Sequence, residues 1–509
     1  MSLHVLSTPI SGTALTRPAI DGSDSRWFAK RPASADQWRD RGATVRGSLL
    51  TSDWTVELAP ALNASGRAAE NLVRIKESGF AVTTGQQPGL FGGPLYTWWK
   101  ALSAVALAER LESRMGVPVA PVFWAATDDS DFAEASYTIV PSSDGAERIE
   151  MKIDAESGTP LSAVTLGDLE EQISRLERSA GSAASSRILT IVRRAYSSSA
   201  TVGGAYIDLI REILEPLGVA VLDASHSTVR AAAHPLLMRA LNDANKVEEA
   251  LTARSRDLKA AGHSAQVKLV KGRTLVFGED GKRRERIRMS DVTSGSTGHT
   301  AGSLGPNVLL RPVVESAIIP TLAYVGGPAE IAYFAQTSAV AESLGAVKPL
   351  VVPRWSGFVI EPRIQKILER HGLTVEDFRD PHMVESRVAR ESLPASFRGV
   401  MTELREAVDK ITGNLAQAEG AELVAPSVLD GLKRSMDQRV DRLERRMAAS
   451  VKRRGNKALH DARTARGFLF PFGTPQERAL NLIPLLARNG TELFDSVIAE
   501  ARKHAELIA

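Results

Sequence analysis

The amino-acid sequence predicts an α/β protein in which a parallel-sheet core is interrupted by two insertions and followed by a helical coiled-coil hairpin. Three observations predict this fold. Residues 79–134 and 306–353 each contain a strand, a loop, a helix and a second strand, and such units build parallel sheets with right-handed crossovers. Residues 397–457 have the apolar spacing of two long helices. At 509 residues, the chain is too long for one hydrophobic core.

Composition restricts the classes of function that fit this chain. Apolar residues make up 43% and charged residues 24%, as in globular proteins, and a net charge of +3 is too small to indicate nucleic-acid binding. The absence of cysteine excludes disulfides, thiolate metal sites and a cysteine nucleophile, and it fits a cytoplasmic protein. The N-terminus lacks signal-peptide features, and no apolar run reaches the roughly 18 residues that a membrane helix needs. We therefore expect no membrane partner.

The loop after the first strand contains the first candidate ligand-binding residues. The strand ends near Thr84, and the loop that follows has the sequence GQQPGLFGGP. Its glycines allow close backbone approach, its glutamines carry amide donors and acceptors, and the helix that follows can attract anions to its N-terminus. A turn without a ligand is the alternative, because the loop matches neither a P-loop nor G-x-G-x-x-G. The candidates are Gly85, Gln86, Gln87, Gly92, Gly93 and Pro94.

The second strand, at 117–126, ends in an acidic cluster. Asp128, Asp129 and Asp131 follow it, at the edge where open α/β sheets bind ligands. The three carboxylates could hold a metal ion, an ammonium group or sugar hydroxyls, and hard oxygen ligands suit Mg²⁺. A solvated acidic turn is the alternative. Asp128 is the strongest candidate of the three because it lies nearest to the apolar strand.

A later strand and helix repeat the pattern of the first unit. The strand at 318–325 is followed by a Gly-Gly-Pro sequence, a helix at 329–344 and a further apolar strand. Buried strands direct such a turn to the ligand-binding edge of the sheet. For an acidic residue in the first turn of the helix, complementing the helix dipole is the alternative role. The candidates here are Gly326, Gly327, Glu330 and Tyr333.

Two segments interrupt the alternation of strands and helices. Residues 166–196 are typical of two polar helices. Short runs at 267–270, 273–277 and 286–289 are typical of antiparallel strands outside the parallel sheet. Between these segments, a strand at 218–222 leads into a short polar sequence that contains His226. That sequence is either a second ligand-binding edge or the N-cap of the next helix.

The apolar residues of 397–457 recur at helical spacing on two successive helices. This pattern predicts the two antiparallel helices of a coiled-coil hairpin. The second helix is strongly basic, and such a face is a solvated surface, a dimer contact or a surface for phosphates. The apolar positions are Val400, Leu404, Ala407, Ile411 and Leu415 on the first helix and Leu429, Leu432, Met436, Val440, Leu443 and Met447 on the second.

These patterns divide the chain into seven segments. Residues 1–150 form an N-terminal segment and the first half of the core. The remaining segments are a helical insertion at 151–204, a core continuation at 205–240, the second insertion at 241–305, the second half of the core at 306–372, the hairpin at 373–465 and a segment at 466–509 that packs back on the core.

Five sequence motifs resemble those of one known family. They are TGQQPGLFGGPLYTWWKA, VPVAPVFWAATDDSDFAE, LLRPVVESAIIPTLAYVGGPAEIAYFAQ, PLVVPRWS and FPFGTPQERALN. In these motifs, and in their order along almost the whole chain, the sequence resembles the cysteine-adding enzymes of bacillithiol biosynthesis. The resemblance implies a Rossmann-like core related to class I aminoacyl-tRNA synthetases, two connecting insertions and a coiled coil that forms a homodimer. It also implies an enzyme that joins L-cysteine to the amine of glucosaminyl-malate.

The resemblance also implies roles for individual residues. Gln86, Asp128 and Lys100 are the expected catalytic residues, and Arg354 joins the loop candidates as a substrate-binding residue. ATP is the expected cofactor, with Mg²⁺ as an accompanying ion. The histidine-containing and KMSKS signatures of the synthetases are absent from this sequence, so Lys100 and Arg354 are candidates to replace the lost positive charge. His226 or a nearby carboxylate could act as the base for the amine.

Two other functions remain compatible with the sequence. A ligase of the same fold could use a different amino acid or amine, because loops set specificity. A nucleic-acid-binding or scaffold protein could use the basic helix, although no aromatic residues interleave with its charges as single-strand binding would require. We therefore expect small-molecule substrates, no nucleic acid, and a homodimer through the coiled coil.

Overall fold

The computed structural model describes residues 3–143, 145–183, 186–279, 283–293, 302–380, 383–454 and 457–509. The chain forms two compact units. The core unit comprises Leu3–Val140, Arg148–Val359 and Glu477–Ala509. The helical unit contains Ile360–Gln476 and the short segment Pro141–Glu147. Among the described residues, no helix is both long enough and apolar enough to cross a bilayer.

Strands and helices alternate along most of the core unit, and the helical unit contains mainly helices. The strands are β1 (His4–Ser7), β2 (Phe80–Gln86), β3 (Val119–Ala125), β4 (Tyr137–Ser142), β5 (Gly145–Glu150), β6 (Ala220–Asp223), β7 (Arg273–Glu279), β8 (Arg284–Arg288), β9 (Leu304–Pro306), β10 (Thr321–Gly326), β11 (Val351–Pro353) and β12 (Gly357–Ile360). The helices up to the second insertion are α1 (Arg17–Asp21), α2 (Ala35–Gly47), α3 (Trp54–Glu57), α4 (Ala59–Leu62), α5 (Gly66–Ile75), α6 (Leu95–Met115), α7 (Phe132–Ala135), α8 (Glu170–Ala180), α9 (Arg187–Ala195), α10 (Val202–Leu214), α11 (Ser227–Asn242) and α12 (Ala244–Ala260). The later helices are α13 (Met289–Thr293), α14 (Arg311–Ile318), α15 (Pro328–Ser343), α16 (Pro362–His371), α17 (Met383–Glu391), α18 (Ala395–Leu415), α19 (Pro426–Arg454), α20 (Lys457–Leu469), α21 (Gln476–Ala479), α22 (Ile483–Asn489) and α23 (Glu492–Ile508).

A five-stranded sheet forms the centre of the core unit. Its strand order is β11-β10-β2-β3-β6, and all neighbouring strands are parallel. From β2 the chain proceeds outward to β3 and β6, and then returns to the other side of β2 to form β10 and β11. The order of the strands therefore reverses between β2 and β10, and open α/β sheets bind ligands at such a switch point. The predicted parallel sheet is confirmed.

Burial of the central strands explains why their sequences are continuous apolar runs. β3 and β10 are buried along their whole lengths, and β2 is buried except at Gln86. Strands covered on both faces have this pattern rather than an alternating one. On one face, α6 contributes Trp98 and Trp99 to the core, and Trp99 packs edge-to-face on Trp355 with ring centroids 5.6 Å apart.

The second insertion carries a separate three-stranded antiparallel sheet in the order β8-β7-β9. The predicted strand at 267–270 is wrong. Gln336, which is fully buried, accepts a hydrogen bond from the Val267 N–H at 2.9 Å and donates one to its carbonyl at 2.8 Å. A side-chain amide thus satisfies the backbone groups that a neighbouring strand would have bonded. Residues 280–282, between β7 and β8, lie outside the described part of the chain.

The strand predicted at 318–325 begins later than expected. Ile318 is the last residue of α14, and β10 starts at Thr321. The reason is that α14 occupies Arg311–Ile318, and the apolar pattern did not indicate where this helix begins. Asn307 Oδ1 accepts hydrogen bonds from the N–H groups of Leu309 at 3.2 Å and Leu310 at 3.0 Å, just before α14 begins.

The first Gly-Gly-Pro corner is held by the C-terminal segment of the core unit. Phe91, Gly92 and Gly93 have successive φ values of 53°, 87° and 72°, a left-handed conformation that costs free energy at the non-glycine residue. Asn481, which is fully buried, donates through Nδ2 to the carbonyl of Phe91 at 2.9 Å and to that of Gly93 at 3.3 Å. The same nitrogen donates to Thr138 Oγ1 at 3.0 Å. One side chain therefore stabilises the strained loop before α6.

Helices α18 and α19 of the helical unit form the predicted antiparallel hairpin. Arg405 pairs with Asp441 at 2.9 Å, and Lys433 pairs with Asp409 at 2.6 Å, so positions on the two helices run in opposite directions. Among the described residues, the buried seam shares only Val440 with the predicted stripe. It consists of Met401, Val408, Thr412, Val440 and Ala448. Most of the predicted apolar positions remain 40–57% exposed, namely Val400, Leu404, Ile411, Leu415, Leu432, Met436 and Leu443.

Replacing Asn481 with alanine tests the role of this side chain. We expect Asn481→Ala to reduce the free energy of unfolding by about 3 kcal/mol, because several buried backbone carbonyls lose a side-chain donor. Urea unfolding followed by tryptophan fluorescence measures the change. Asn245→Ala, at an exposed position on α12, is the control and should leave the midpoint unchanged. Equal midpoints for the two variants would contradict this role.

Candidate active site

A cavity of about 540 Å³ opens at the carboxyl ends of the central strands. Gly85 and Gln86 line it at the end of β2, and Gly327 and Glu330 line it at the start of α15. It therefore lies at the switch point of the sheet, where ligand binding is expected. Other walls come from β3, the antiparallel sheet and the C-terminal segment, through Asp128, Asp129, Glu134, Phe277, Arg284, Arg286, Asn307, Arg354 and Arg478.

Lys100 lies beneath the cavity floor at the centre of a buried polar network. Its ammonium is fully buried and donates to the Gly85 carbonyl, to Gln86 Oε1 at 3.2 Å and to Glu330 Oε1 at 2.8 Å. Tyr324 Oη donates to the same Glu330 oxygen at 2.5 Å. The Lys100 ammonium thus connects α6 with the end of β2 and with the start of α15, which follows β10.

The charges of this network are set by burial and by each other. Burial lowers the pKa of Lys100, although the Glu330 carboxylate opposes that shift. Burial alone would raise the pKa of Glu330, but Lys100 and the N–H of Gly327 outweigh it and lower the pKa. The Gly327 N–H donates to Glu330 Oε2 at 2.8 Å. Glu330 is therefore the ionised carboxylate that caps α15, in addition to pairing with Lys100.

The two glutamines of the first loop project different amide groups. Because Lys100 binds Gln86 Oε1, the Gln86 amide nitrogen is free to donate to Tyr96 Oη, at 3.2 Å. Gln87 donates through Nε2 to Glu134 Oε2 at 2.6 Å. Burial raises the pKa of Tyr96, so its hydroxyl is protonated at neutral pH. Both glutamines line the cavity.

The three aspartates after β3 point to different partners. Asp128 pairs with Arg284 at 2.8 Å. Asp129 accepts the Ser130 N–H at 2.6 Å, and its pKa is raised by burial and then by the Asp128 charge. Asp131 caps α7 by accepting the Ala133 N–H at 3.0 Å and is exposed outside the cavity wall. Within the described part of the chain, no three His, Asp or Glu side chains are grouped as metal ligands.

Arg354 and Tyr333 line the cavity but already have partners. The Arg354 guanidinium is buried and forms a bidentate pair with Glu477, at 2.6 and 2.8 Å. Tyr333 Oη accepts from Arg311 at 3.1 Å. The positive charge that Arg354 was expected to supply is therefore compensated by a carboxylate from the C-terminal segment.

The structure brings most of the sequence-predicted residues to one cavity. Gly85, Gln86, Gln87, Asp128, Asp129, Gly327, Glu330, Tyr333 and Arg354 line it. Gly92, Gly93, Pro94, Asp131 and Gly326 do not, and Lys100 acts from below. For Gly92 the reason is packing, because a Cβ atom there would lie 2.5 Å from the Trp98 ring. The first Gly-Gly-Pro corner is therefore a structural element of the fold.

Comparison with known proteins identifies the family. The model for "Bacillithiol biosynthesis BshC, N-terminal Rossmann-like domain" matches residues 26–355. The model for "Bacillithiol biosynthesis BshC, C-terminal coiled-coil domain" matches residues 357–506. The chain belongs to the BshC family. The predicted resemblance, the Rossmann-like core and the C-terminal coiled coil are thereby confirmed.

Individual BshC relatives are similar over most of the chain. A protein of Koribacter versatilis is 34% identical over 463 residues, which cover 86% of this chain and 85% of that protein. One of Solibacter usitatus is 31% identical over 478 residues, or 90% of each chain. One of Salinibacter ruber is 29% identical over 449 residues, or 82% and 80%. All three carry the name "Putative cysteine ligase BshC".

Several residues of the BshC cavity were missed from the sequence. Arg478 lies within the FPFGTPQERALN motif, next to Glu477, which pairs with Arg354. The motif was noticed without a role for either residue. Arg284 and Arg286 belong to the antiparallel sheet, where nothing local distinguishes them from surface arginines. Tyr96 follows the first Gly-Gly-Pro corner by two positions, among apolar residues that gave no sign of a binding role.

Exchanging Lys100 for methionine tests the buried network. We expect Lys100→Met to cost about 3 kcal/mol of unfolding free energy, because it leaves a largely buried carboxylate without its cation. The double variant K100M/E330Q should regain most of this stability, because both charges are then absent. Urea unfolding measures both effects. Lys76→Met is the control, since Lys76 forms an exposed pair with Asp53 at 3.2 Å, and it should change stability little. Equal stability of K100M and wild type would exclude the proposed network.

Proposed function

We propose that this chain is a ligase that forms an amide bond between L-cysteine and the amine of glucosaminyl-malate in bacillithiol biosynthesis. The observation that carries the proposal is its similarity, over 86–90% of its length, to two proteins named as cysteine ligases. The cavity at the switch point supports it, because amide and charged groups of both signs line a single space. Such a lining suits zwitterionic and anionic substrates.

Amide formation from a carboxylate requires activation, and we propose ATP as its source. The cavity fits a nucleotide, since its volume is about 540 Å³ and its wall includes Arg478, which has no carboxylate partner among the described residues. Arg478 and the N-terminus of α15, where Ala329 lines the cavity, would hold the phosphates. When bound, ATP supplies activation of the cysteine carboxylate. Magnesium is commonly held by substrate phosphates and one or two carboxylates, so a protein-built metal cage is not required.

The chain's own residues orient the reactants and accept a proton. Lys100 fixes the Gln86 amide so that its N–H groups face Tyr96 and the cavity. Attack by the amine releases a proton, and Asp129 is the proposed acceptor, because its raised pKa brings it closer to neutral pH. Asp128 is engaged in an ion pair with Arg284 and is therefore less available to the amine. His226 caps α11 and does not line the cavity.

Product formation tests the proposed function directly. Purified protein incubated with L-cysteine, glucosaminyl-malate, ATP and Mg²⁺ should yield the amide product by mass spectrometry, with AMP or ADP released. Omission of each component in turn identifies which are required. Asp129→Asn should lower kcat by roughly a hundredfold to ten-thousandfold, the range for loss of a general base. Absence of product from every combination would rule the proposal out.

We also propose that the helical unit mediates a homodimer. Seven apolar residues remain exposed along α18 and α19 and form a stripe on the two helices. They are Val400, Leu404, Ile411, Leu415, Leu432, Met436 and Leu443. Contiguous apolar surface of this kind marks protein interaction sites. A second copy of the same hairpin would bury it by coiled-coil packing.

Light scattering after size-exclusion chromatography measures the oligomeric state. The wild type should be a dimer, and Leu404→Glu combined with Ile411→Glu should give a monomer, since two charges would enter the apolar interface. Val73→Glu, at an exposed apolar position on α5 in the core unit, should leave the dimer intact. A monomeric wild type at micromolar concentration would contradict the assignment.

A further inference from the structure

The arginines that line the cavity differ in whether a carboxylate neutralises them. Three have partners within the core unit. They are Arg284 with Asp128 at 2.8 Å, Arg311 with Glu315 at 2.5 Å and Arg354 with Glu477 at 2.6 Å. Among the described residues, Arg286 and Arg478 line the same cavity without a carboxylate partner. Arg478 is exposed, whereas Arg286 is partly buried. The unpaired charge of Arg286 is therefore the less solvated of the two.

The antiparallel sheet fixes the position of Arg286. On β8 it lies directly opposite Phe277 of β7 in the strand register, and its guanidinium carbon is 5.7 Å from the Phe277 ring centroid. The neighbouring Arg284 packs on the same ring at 4.3 Å. Burial, followed by repulsion from Arg284, lowers the pKa of Arg286. Both effects raise the free energy of the charged Arg286 guanidinium, and a bound anion would offset that cost.

Asn307 gives independent evidence for a ligand at the cavity wall that contains Arg286. Its side chain is 4% exposed, and its Oδ1 is engaged by the N–H groups of Leu309 and Leu310. These two bonds fix which way the amide faces. Within the described part of the chain, the Nδ2 group is a buried donor with no acceptor. Asn307 and Arg286 line the cavity together, so two donors of one wall are without acceptors.

We propose that Arg286 and Asn307 form an oxyanion subsite that binds a carboxylate of the malate group of the acceptor substrate. This inference rests on the proposed function. The subsite belongs to the insertion sheet and not to the switch point of the parallel sheet. In glucosaminyl-malate, the carboxylates and the reacting amine lie on opposite sides of a glycosidic bond. A substrate whose amine lies beside Gln86 and Asp129 can thus extend its carboxylates toward the insertion. Phosphate has the same oxyanion chemistry, and the test must distinguish the two.

Steady-state kinetics of matched variants provide the first test. Arg286→Gln should raise the KM for glucosaminyl-malate tenfold to a hundredfold, with little change in the KM for cysteine or ATP. Arg286→Lys should recover part of this loss, since a point charge replaces the planar fork. Asn307→Asp keeps the oxygen that accepts from the Leu309 and Leu310 N–H groups but adds a negative charge, so it should raise the same KM. Arg288→Gln removes an equal charge from an exposed position on the same strand, outside the cavity wall, and should match the wild type.

Direct binding separates failure of this inference from failure of the proposed function. Calorimetry with glucosaminyl-malate, L-malate and ATP requires no turnover. Wild-type binding of glucosaminyl-malate that weakens at least tenfold in R286Q supports the subsite, even if no product forms with cysteine. Equal affinity in the two proteins overturns it. A loss confined to ATP also overturns it, because the oxyanion is then a phosphate. Failure of the wild type to bind either malate compound overturns it as well.

Discussion

The ion pair between Lys100 and Glu330 is the interaction on which the site depends. A buried ammonium is costly unless it is paired and fully hydrogen-bonded, and here each donor direction of Lys100 meets an oxygen. Those oxygens belong to the end of β2 and to the start of α15. The pair therefore fixes the two parallel strands of the switch point, orients the Gln86 amide and caps α15 at the same time.

The cavity combines segments that are distant in sequence. The parallel sheet supplies its floor, the antiparallel insertion supplies Phe277, Arg284 and Arg286, and the C-terminal segment supplies Arg478. Asp128 is the point at which two of these segments are joined, since Arg284 binds both its carboxylate and its carbonyl. This division gives a physical basis for specificity. In the proposed function, the sheet edge would position the reacting groups and the insertion would recognise the anion.

The parts of the fold that were predictable are those with local signals. Apolar runs at β2, β3 and β10 indicated buried parallel strands, and the residues that follow them were placed correctly at one sheet edge. The strand at 267–270 failed because Gln336 occupies the place of a partner strand, a tertiary contact that no local pattern reveals. The stripe predicted for the hairpin seam was correct at Val440 and wrong at most other positions, because several rows of the helices are apolar. Arg286 and Asn307 were missed because their positions depend on how the insertion folds.

The pairing of Arg354 with Glu477 has a consequence for how the protein is made. The two residues are 123 positions apart, and the helical unit is encoded between them. On the ribosome, the strands of the parallel sheet emerge long before the carboxylate that neutralises Arg354. A nascent chain that ends before this residue therefore contains an uncompensated guanidinium in the forming core. This part of the core is therefore complete only when the C-terminal segment, which is synthesised last, has docked.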